Sequence, residues 1–260
     1  MSSTIQPAIF VGHGSPMNAL EENAFTREWH AIGARFPKPK AILAISAHWM
    51  TTSVAVTAME YPETIHDFGG FPPALFAARY PAPGSPALAQ RVADCLAPIA
   101  VMQDQSWGLD HGTWSVLMKM FPQADIPVVQ LSLNLHEPAE FHFQLGQRLA
   151  SLRDEGIMLL ASGNIVHNLR RLDPRITAYD WAQRFDRAIQ GAIRDEKFST
   201  VIDYPSFGND ALLSVPTVEH YLPLLYVLGA KRAGETIDIC NDELVMGSIS
   251  MTTVVVHAPS

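Results

Sequence analysis

The sequence predicts an α/β fold built on a central sheet that is mostly parallel or mixed. Three observations lead there. Short, unbroken apolar runs recur along the chain, as expected of strands covered on both faces. Amphipathic segments of helical length fall between them, and alternation of strand and helix builds layered α/β structure. The chain has 260 residues, 48% apolar and 17% charged, a globular composition able to bury roughly 70–75% of its unfolded surface.

The elements follow in order. Ala8 to Val11 (AIFV), Ala41 to Ile45 (AILAI), Ile126 to Leu133 (IPVVQLSL) and Ile157 to Leu160 (IMLL) are buried-strand candidates. Ser53 to Ala58 (SVAVTA) follows the second closely, and pairing beside it is the expectation. Phe71 to Pro86 is rich in proline and reads as a loop or lid. Pro86 to Leu96 opens after Gly84 and Ser85, a helix start signal. Glu137 to Leu152 is a second helix, with Pro138 tolerated in its first turn. Trp181 to Arg194 is amphipathic and Val218 to Leu228 strongly apolar. Glu235 to Cys240 and Ser248 to Val256 alternate and are expected at a sheet edge. With no repeat, low-complexity tract or long linker, a single catalytic domain over 1–260 is the expectation.

Composition excludes several classes. The net charge is −8 without a basic cluster, so no nucleic-acid partner is expected. Cys95 and Cys240 are too few for a disulfide scaffold or a CxxC zinc module. The start, MSSTIQPAIFVGHGSP, has no signal-peptide pattern and no run reaches 18 apolar residues, so no membrane partner and a cytoplasmic location are expected.

The chemistry concentrates where strands end. AIFV runs into Gly12-His13-Gly14-Ser15-Pro16, AILAI into Ser46-Ala47-His48-Trp49, and IMLL into Ala161-Ser162-Gly163-Asn164 with His167 shortly after. Ligands of α/β sheets bind beyond the carboxyl ends of the strands, so three strands deliver histidines to one edge. The glycines around His13 do not complete a dinucleotide fingerprint, because position 17 is Met17. There is no P-loop lysine and no GxSxG, which leaves Ser15 and Ser162 poor nucleophile candidates.

In Asp110-His111-Gly112-Thr113 two readings stand: His111 serves a pocket with Asp110 orienting it, or Asp110 or Thr113 caps a helix. Glu219 and His220 are neighbours, about 100° apart if helical. One then ligates while the other meets solvent or an ion-pair partner. His66 lies in HDFGGF, either a substrate lid or a plain turn. His30, His136, His142 and His257 sit in surface-like contexts. Imidazoles without thiolates suit zinc, iron, copper or nickel.

Jointly and in order, GHGSPMNAL, AISAHW, HDFGGFPPALFAARYPAPG, GLDHGTWSVL, LASGNIVHNLR and SFGNDALLSVPTVEHYLPLLYVLGA resemble the class III extradiol ring-cleavage dioxygenases, in particular the branch that cleaves DOPA. The resemblance covers almost the whole chain. It implies a three-layer α/β domain around a mononuclear non-haem Fe(II). His13 and His48 fall on the first two metal ligands and His220 on the third. His167 falls on the acid–base histidine beside the metal, which also reaches the metal in resting enzyme, and His111 on a second pocket histidine. Relatives that cleave protocatechuate use glutamate as third ligand, which keeps Glu219 as the alternative to His220. An all-histidine set also accepts Zn(II).

The implied partners are a small aromatic diol and O2. Ring-holding candidates are His66, Phe68, Phe71, Trp107, Trp114 and Tyr221; Arg170, Arg171 and Asn168 are candidates for holding a carboxylate, unless the arginines lie on a solvated face. A zinc-dependent hydrolase with His167 as base is the competing enzyme class, and a non-catalytic metal-binding protein the third.

Overall fold

The computed structural model describes residues 5–259. The strands are β1 (Ala8–Gly12), β2 (Ala41–Thr51), β3 (Val54–Thr57), β4 (Glu63–Thr64), β5 (Val101–Asp104), β6 (Gly108–Leu109), β7 (Val128–Asn134), β8 (Ile157–Gly163), β9 (Thr236–Cys240), β10 (Leu244–Val245), β11 (Ile249–Ser250) and β12 (Thr253–His257). The helices are α1 (Ala24–Arg35), α2 (Pro73–Ala77), α3 (Pro86–Leu96), α4 (His111–Met120), α5 (Ala139–Leu149), α6 (Asp180–Arg194), α7 (Phe198–Ile202), α8 (Asn209–Ser214) and α9 (Leu222–Gly229).

Eight strands form one mixed sheet in the order β5-β3-β7-β2-β8-β1-β12-β9. β1, β8, β2 and β7 run parallel at its centre. Along β1 and β2 the side chains alternate between two cores. Phe10, Leu43 and Ile45 enter one with α3, α5, α6 and α9; Ile9, Val11, Ile42 and Ala44 enter the other with α1 and α4. Successive strand residues face opposite ways, so a strand sandwiched between helical layers is apolar at every position. That is the physical basis of the unbroken AIFV and AILAI runs, and it gives the three layers.

Several expectations change. β3 does not lie beside β2; β7 intervenes, and β3 pairs with β7 and β5. Of the late runs only β9 is an edge strand. β12 is interior, between β1 and β9, and Ile249–Ser250 belongs to a separate two-stranded ribbon with β10. α9 begins at Leu222, not Val218, and α5 is shorter than predicted, continuing from Ala150 to Glu155 as a 3-10 turn. α2 interrupts the proline-rich loop.

His30 and His136 are exposed as expected, whereas His142 and His257 are buried. The His142 ring has its Nδ1 3.0 Å from the Tyr226 hydroxyl, and burial pulls its pKa down to about 4. In the unfolded chain an imidazole titrates near 6.5. Between those values the unfolded state binds the extra proton, so stability is complete above about pH 6.5 and is lost as pH falls toward 4. Urea unfolding at pH 7.5 and pH 5 is expected to show wild-type stability falling by about 2 kcal/mol more than that of His142→Phe. Parallel pH profiles for the two proteins would contradict this.

Candidate metal centre and active-site cleft

The parallel strands end together. Gly12 of β1 lies in register with Gly163 of β8, and Ser46 of β2 with Ser162. His13 follows Gly12 directly. His48 lies within β2, where the register with β7 shifts between Ile45 and Met50; such irregularities re-aim side chains beside sites. His220 enters from the turn before α9, its carbonyl accepting from the Asn164 amide at 2.8 Å. Gly163 is required there, because a Cβ would run into the His220 carbonyl.

His13, His48 and His220 each offer one ring nitrogen to a common point, all within 4.8 Å of one another. The His13 and His48 Nε2 atoms are 3.2 Å apart, about the separation of two nitrogens that each lie roughly 2.0–2.1 Å from one ion. The outward nitrogens are held from behind. His13 Nδ1 is 2.8 Å from Ser162 Oγ, His48 Nδ1 is 3.4 Å from Asp67 Oδ2, and His220 Nδ1 is 3.2 Å from Glu219 Oε1. Metal-binding histidines characteristically have the second nitrogen held in this way. Among the described residues His220 Nε2 is buried without a hydrogen-bond partner, although a buried polar atom ordinarily has one. The residues present therefore fit a metal ion.

The electrostatics agree. Burial, then the neighbouring imidazoles, hold the His13 and His220 pKa values well below the usual range, and bring that of His48 down to about 3. Burial likewise lowers His167 to about 4. All four are neutral near pH 7, which is the form that binds metal.

His167 and His111 flank the triplet. The His167 ring stacks on His220, with centroids 3.4 Å apart and planes 7° from parallel, and groups with Glu219 and His220 rather than with His13 and His48. His111 lies against His48 at 3.9 Å between centroids. Its Nδ1 is 3.0 Å from Asp67 Oδ2, at ion-pair distance but out of hydrogen-bond alignment, while its backbone N–H donates to Asp67 Oδ1 at 2.9 Å.

Asp67 therefore backs both imidazoles, a position that sequence reasoning missed. The only local signal was an acid inside the HDFGGF loop. Asp110 takes the capping role: it accepts from the Thr113 amide and from Ser46 Oγ and Gln130 Nε2. Replacing Asp67 by asparagine is expected to weaken metal binding about 10–100-fold, the usual cost of losing an outer partner. Competition with a chromophoric chelator measures this, and an unchanged affinity would dismiss the role.

A cleft of about 600 Å³ opens above the histidines. His13, His48, His111, His167 and His220 form its floor, with Asp67, Glu21, Asn18 and Asn23 among its other polar lining. Its walls are Phe68 and Phe71 from the loop between β4 and α2, Leu169 and Leu172, Phe25, and Val245, Met246, Ile249 and Met251 from the C-terminal ribbon. Of the ring-holding candidates only Phe68 and Phe71 line it. His66 stands behind Phe68, 5.7 Å away ring to ring, with Nε2 2.9 Å from the Ala78 carbonyl oxygen. Tyr221 is in the core, its hydroxyl donating to the Val201 carbonyl at 2.8 Å. Trp107 stacks on Trp49 and Trp114 donates to the Ile65 carbonyl, both outside the cleft.

Arg170 and Arg171 are exposed and do not line it, and Asn168 is spent on the Leu213 carbonyl. Glu219 does not line the cleft; its Oε1 lies 3.2 Å from His220 Nδ1, so one neighbour turns into the site while the other backs it, as the spacing of adjacent residues led one to expect.

Comparison with known proteins fits this geometry. Residues 7–252 match the family described as the catalytic LigB subunit of aromatic ring-opening dioxygenase. The chain is 53% identical over 263 aligned positions to the 4,5-DOPA dioxygenase extradiol of Escherichia coli K12, covering 98% of this chain and 96% of that protein. It is 40% identical to the protein of the same name from Beta vulgaris, covering 89% and 88% respectively. The crystal structure of an uncharacterized protein from Escherichia coli K12 superimposes with a TM-score of 0.85 at 48% identity, over 96% of this chain and 99% of that one. With a match running through β1, the histidine cluster and the C-terminal ribbon, the chain belongs to the LigB family of aromatic ring-opening dioxygenases.

Proposed function

We propose that this dioxygenase is extradiol and opens the ring of a DOPA-like catechol with O2, using Fe(II) held by His13, His48 and His220. The observation that supports it most is the convergence of three imidazole nitrogens, from the buried His13 and His220 and the half-buried His48, each backed by a hydroxyl or carboxylate, at the floor of an aromatic-walled cleft. The relatives at 53% and 40% identity bear the name of a DOPA-cleaving enzyme, which supports the substrate class. The two cysteines are unpaired, in keeping with action in the cytoplasm.

Iron would supply the electron exchange between the diol and O2, which redox-inert zinc lacks. The chain's own residues do the rest. Phe68 and Phe71 hold the ring and shield it from water. His167, neutral and beside the ligand His220, accepts a phenolic proton. His111, backed by Asp67, stabilises negative charge developing on oxygen and returns a proton. The ring bond next to the diol breaks, and both O2 atoms end in the product, one in an aldehyde and one in a carboxylate.

The test is metal reconstitution under anaerobic conditions with Fe(II) or Zn(II), followed by L-DOPA, caffeate or protocatechuate and admission of oxygen. One O2 consumed per catechol and a yellow semialdehyde with iron, and neither with zinc, is the expected result. Verified iron loading without oxygen uptake on any catechol would overturn the reading.

A further inference from the structure

We infer that the cleft selects catechols whose ring substituent ends in a cationic amine, and that Glu21 is the residue that selects them. This rests on the reading of the cleft as a catechol site. Among the described residues no lysine or arginine lines it. The two arginines nearest in sequence, Arg170 and Arg171, flank the lining Leu169 and Leu172 but are exposed and outside it. A carboxylate arm would thus enter a space with no cation from the chain to receive it.

Two carboxylates do line the cleft, Asp67 and Glu21. Asp67 is occupied by His48 and His111. Glu21 is exposed and has no ion pair among the described residues, whereas its neighbour Glu22 is taken by Lys119.

Glu21 is also placed firmly relative to the metal ligands. It sits on the loop that begins at His13, and that loop is pinned by side chains. Asn18 Nδ2 donates to the His13 carbonyl at 3.0 Å, Asn23 Nδ2 donates to Asn18 Oδ1 at 2.8 Å, and Asn23 Oδ1 caps α1 through the Thr26 amide. The Glu21 amide donates to the Met17 carbonyl at 3.0 Å. An anionic side chain held on the same short segment as a ligand histidine, facing walls of phenylalanine, leucine and methionine, suits an aromatic ring with an ammonium arm.

Three catechols with arms of similar length separate the possibilities: dopamine, neutral 4-ethylcatechol, and the carboxylate 3-(3,4-dihydroxyphenyl)propionate. Each is titrated by calorimetry into metal-loaded protein without oxygen, so that binding is read apart from turnover, and oxygen uptake is then recorded. Dopamine is expected to bind about 1.5–5-fold more tightly than 4-ethylcatechol, the range of an exposed charge pair, and the carboxylate more weakly than either. Raising salt to 0.5 M should shrink the spread.

In Glu21→Gln the dopamine advantage should vanish, and in Glu21→Lys the order of dopamine and the carboxylate should reverse. The position is exposed, and thermal melting checks that both variants fold. Neutral catechol binding and turnover without preference for the amine, or the same ranking in Glu21→Lys as in wild type, would overturn the inference while leaving ring cleavage intact. Absence of binding and of oxygen uptake with all three would overturn both.

Discussion

Substituting His13 by alanine is expected to strip the site of its metal and to abolish ring cleavage. His13 is only 2% exposed, and its Nε2 lies 3.2 Å from that of His48, so the two nitrogens form one edge of the binding site. Losing an outer hydrogen-bond partner costs about 10–100-fold in metal affinity, and losing a ligand nitrogen costs more. Metal content after gel filtration and the chelator-competition constant measure the loss. The side chain borders the cleft, so its removal enlarges an existing opening and leaves the folded core in place. Melting of wild type and variant in excess chelator should therefore be similar. Full metal occupancy with wild-type turnover in His13→Ala would show that the triplet is not the metal site.

The second large effect concerns His167. Phenylalanine at this position keeps a flat ring against His220, where the imidazole now stacks at 3.4 Å, and removes both nitrogens. A positioned acid–base group contributes about 10²–10⁴-fold, so kcat in His167→Phe should fall by that factor while the metal constant stays near that of wild type. Measuring both separates two roles. Loss of metal together with activity would make His167 a ligand, and retention of both would remove it from the reaction. The stacking and the Glu219 grouping favour the acid–base role.

Much of this site was legible along the chain because strand ends carry local signals. GHGSP, SAHW and NIVHN each follow an apolar run long enough to read as a buried strand, and parallel strands share one carboxyl edge. The convergence of His13, His48 and the segment before His167 follows from those facts. The two-core alternation of β1 and β2 was implicit in the same runs. What the chain alone left open was mostly the path of its loops, although Phe68 and Phe71 do reach the cleft as expected. Asp110, adjacent to His111, could either orient that ring or cap a helix; a helix begins at His111, and the Asp110 side chain turns back to cap it. The acid that reaches His111 comes from 44 positions away. Arg170 and Arg171 lie close to His167 in sequence, but a short 3-10 turn carries them outward and leaves the adjoining leucines on the cleft. Tyr221 adjoins His220 and faces the opposite way, into the core.

By itself, then, the sequence determined the layered α/β class, the buried strands and the histidines at their ends, because hydrophobic period and strand termination are properties of neighbouring residues. Only the tertiary structure decided which carboxylate backs which imidazole, which aromatic rings face the cleft and where β3 and β12 pair. Those outcomes depend on contacts between segments far apart along the chain, 44 positions for Asp67 with His111 and 149 for Ser162 with His13. Contacts of that kind are set by chain packing as a whole, and no local pattern encodes them.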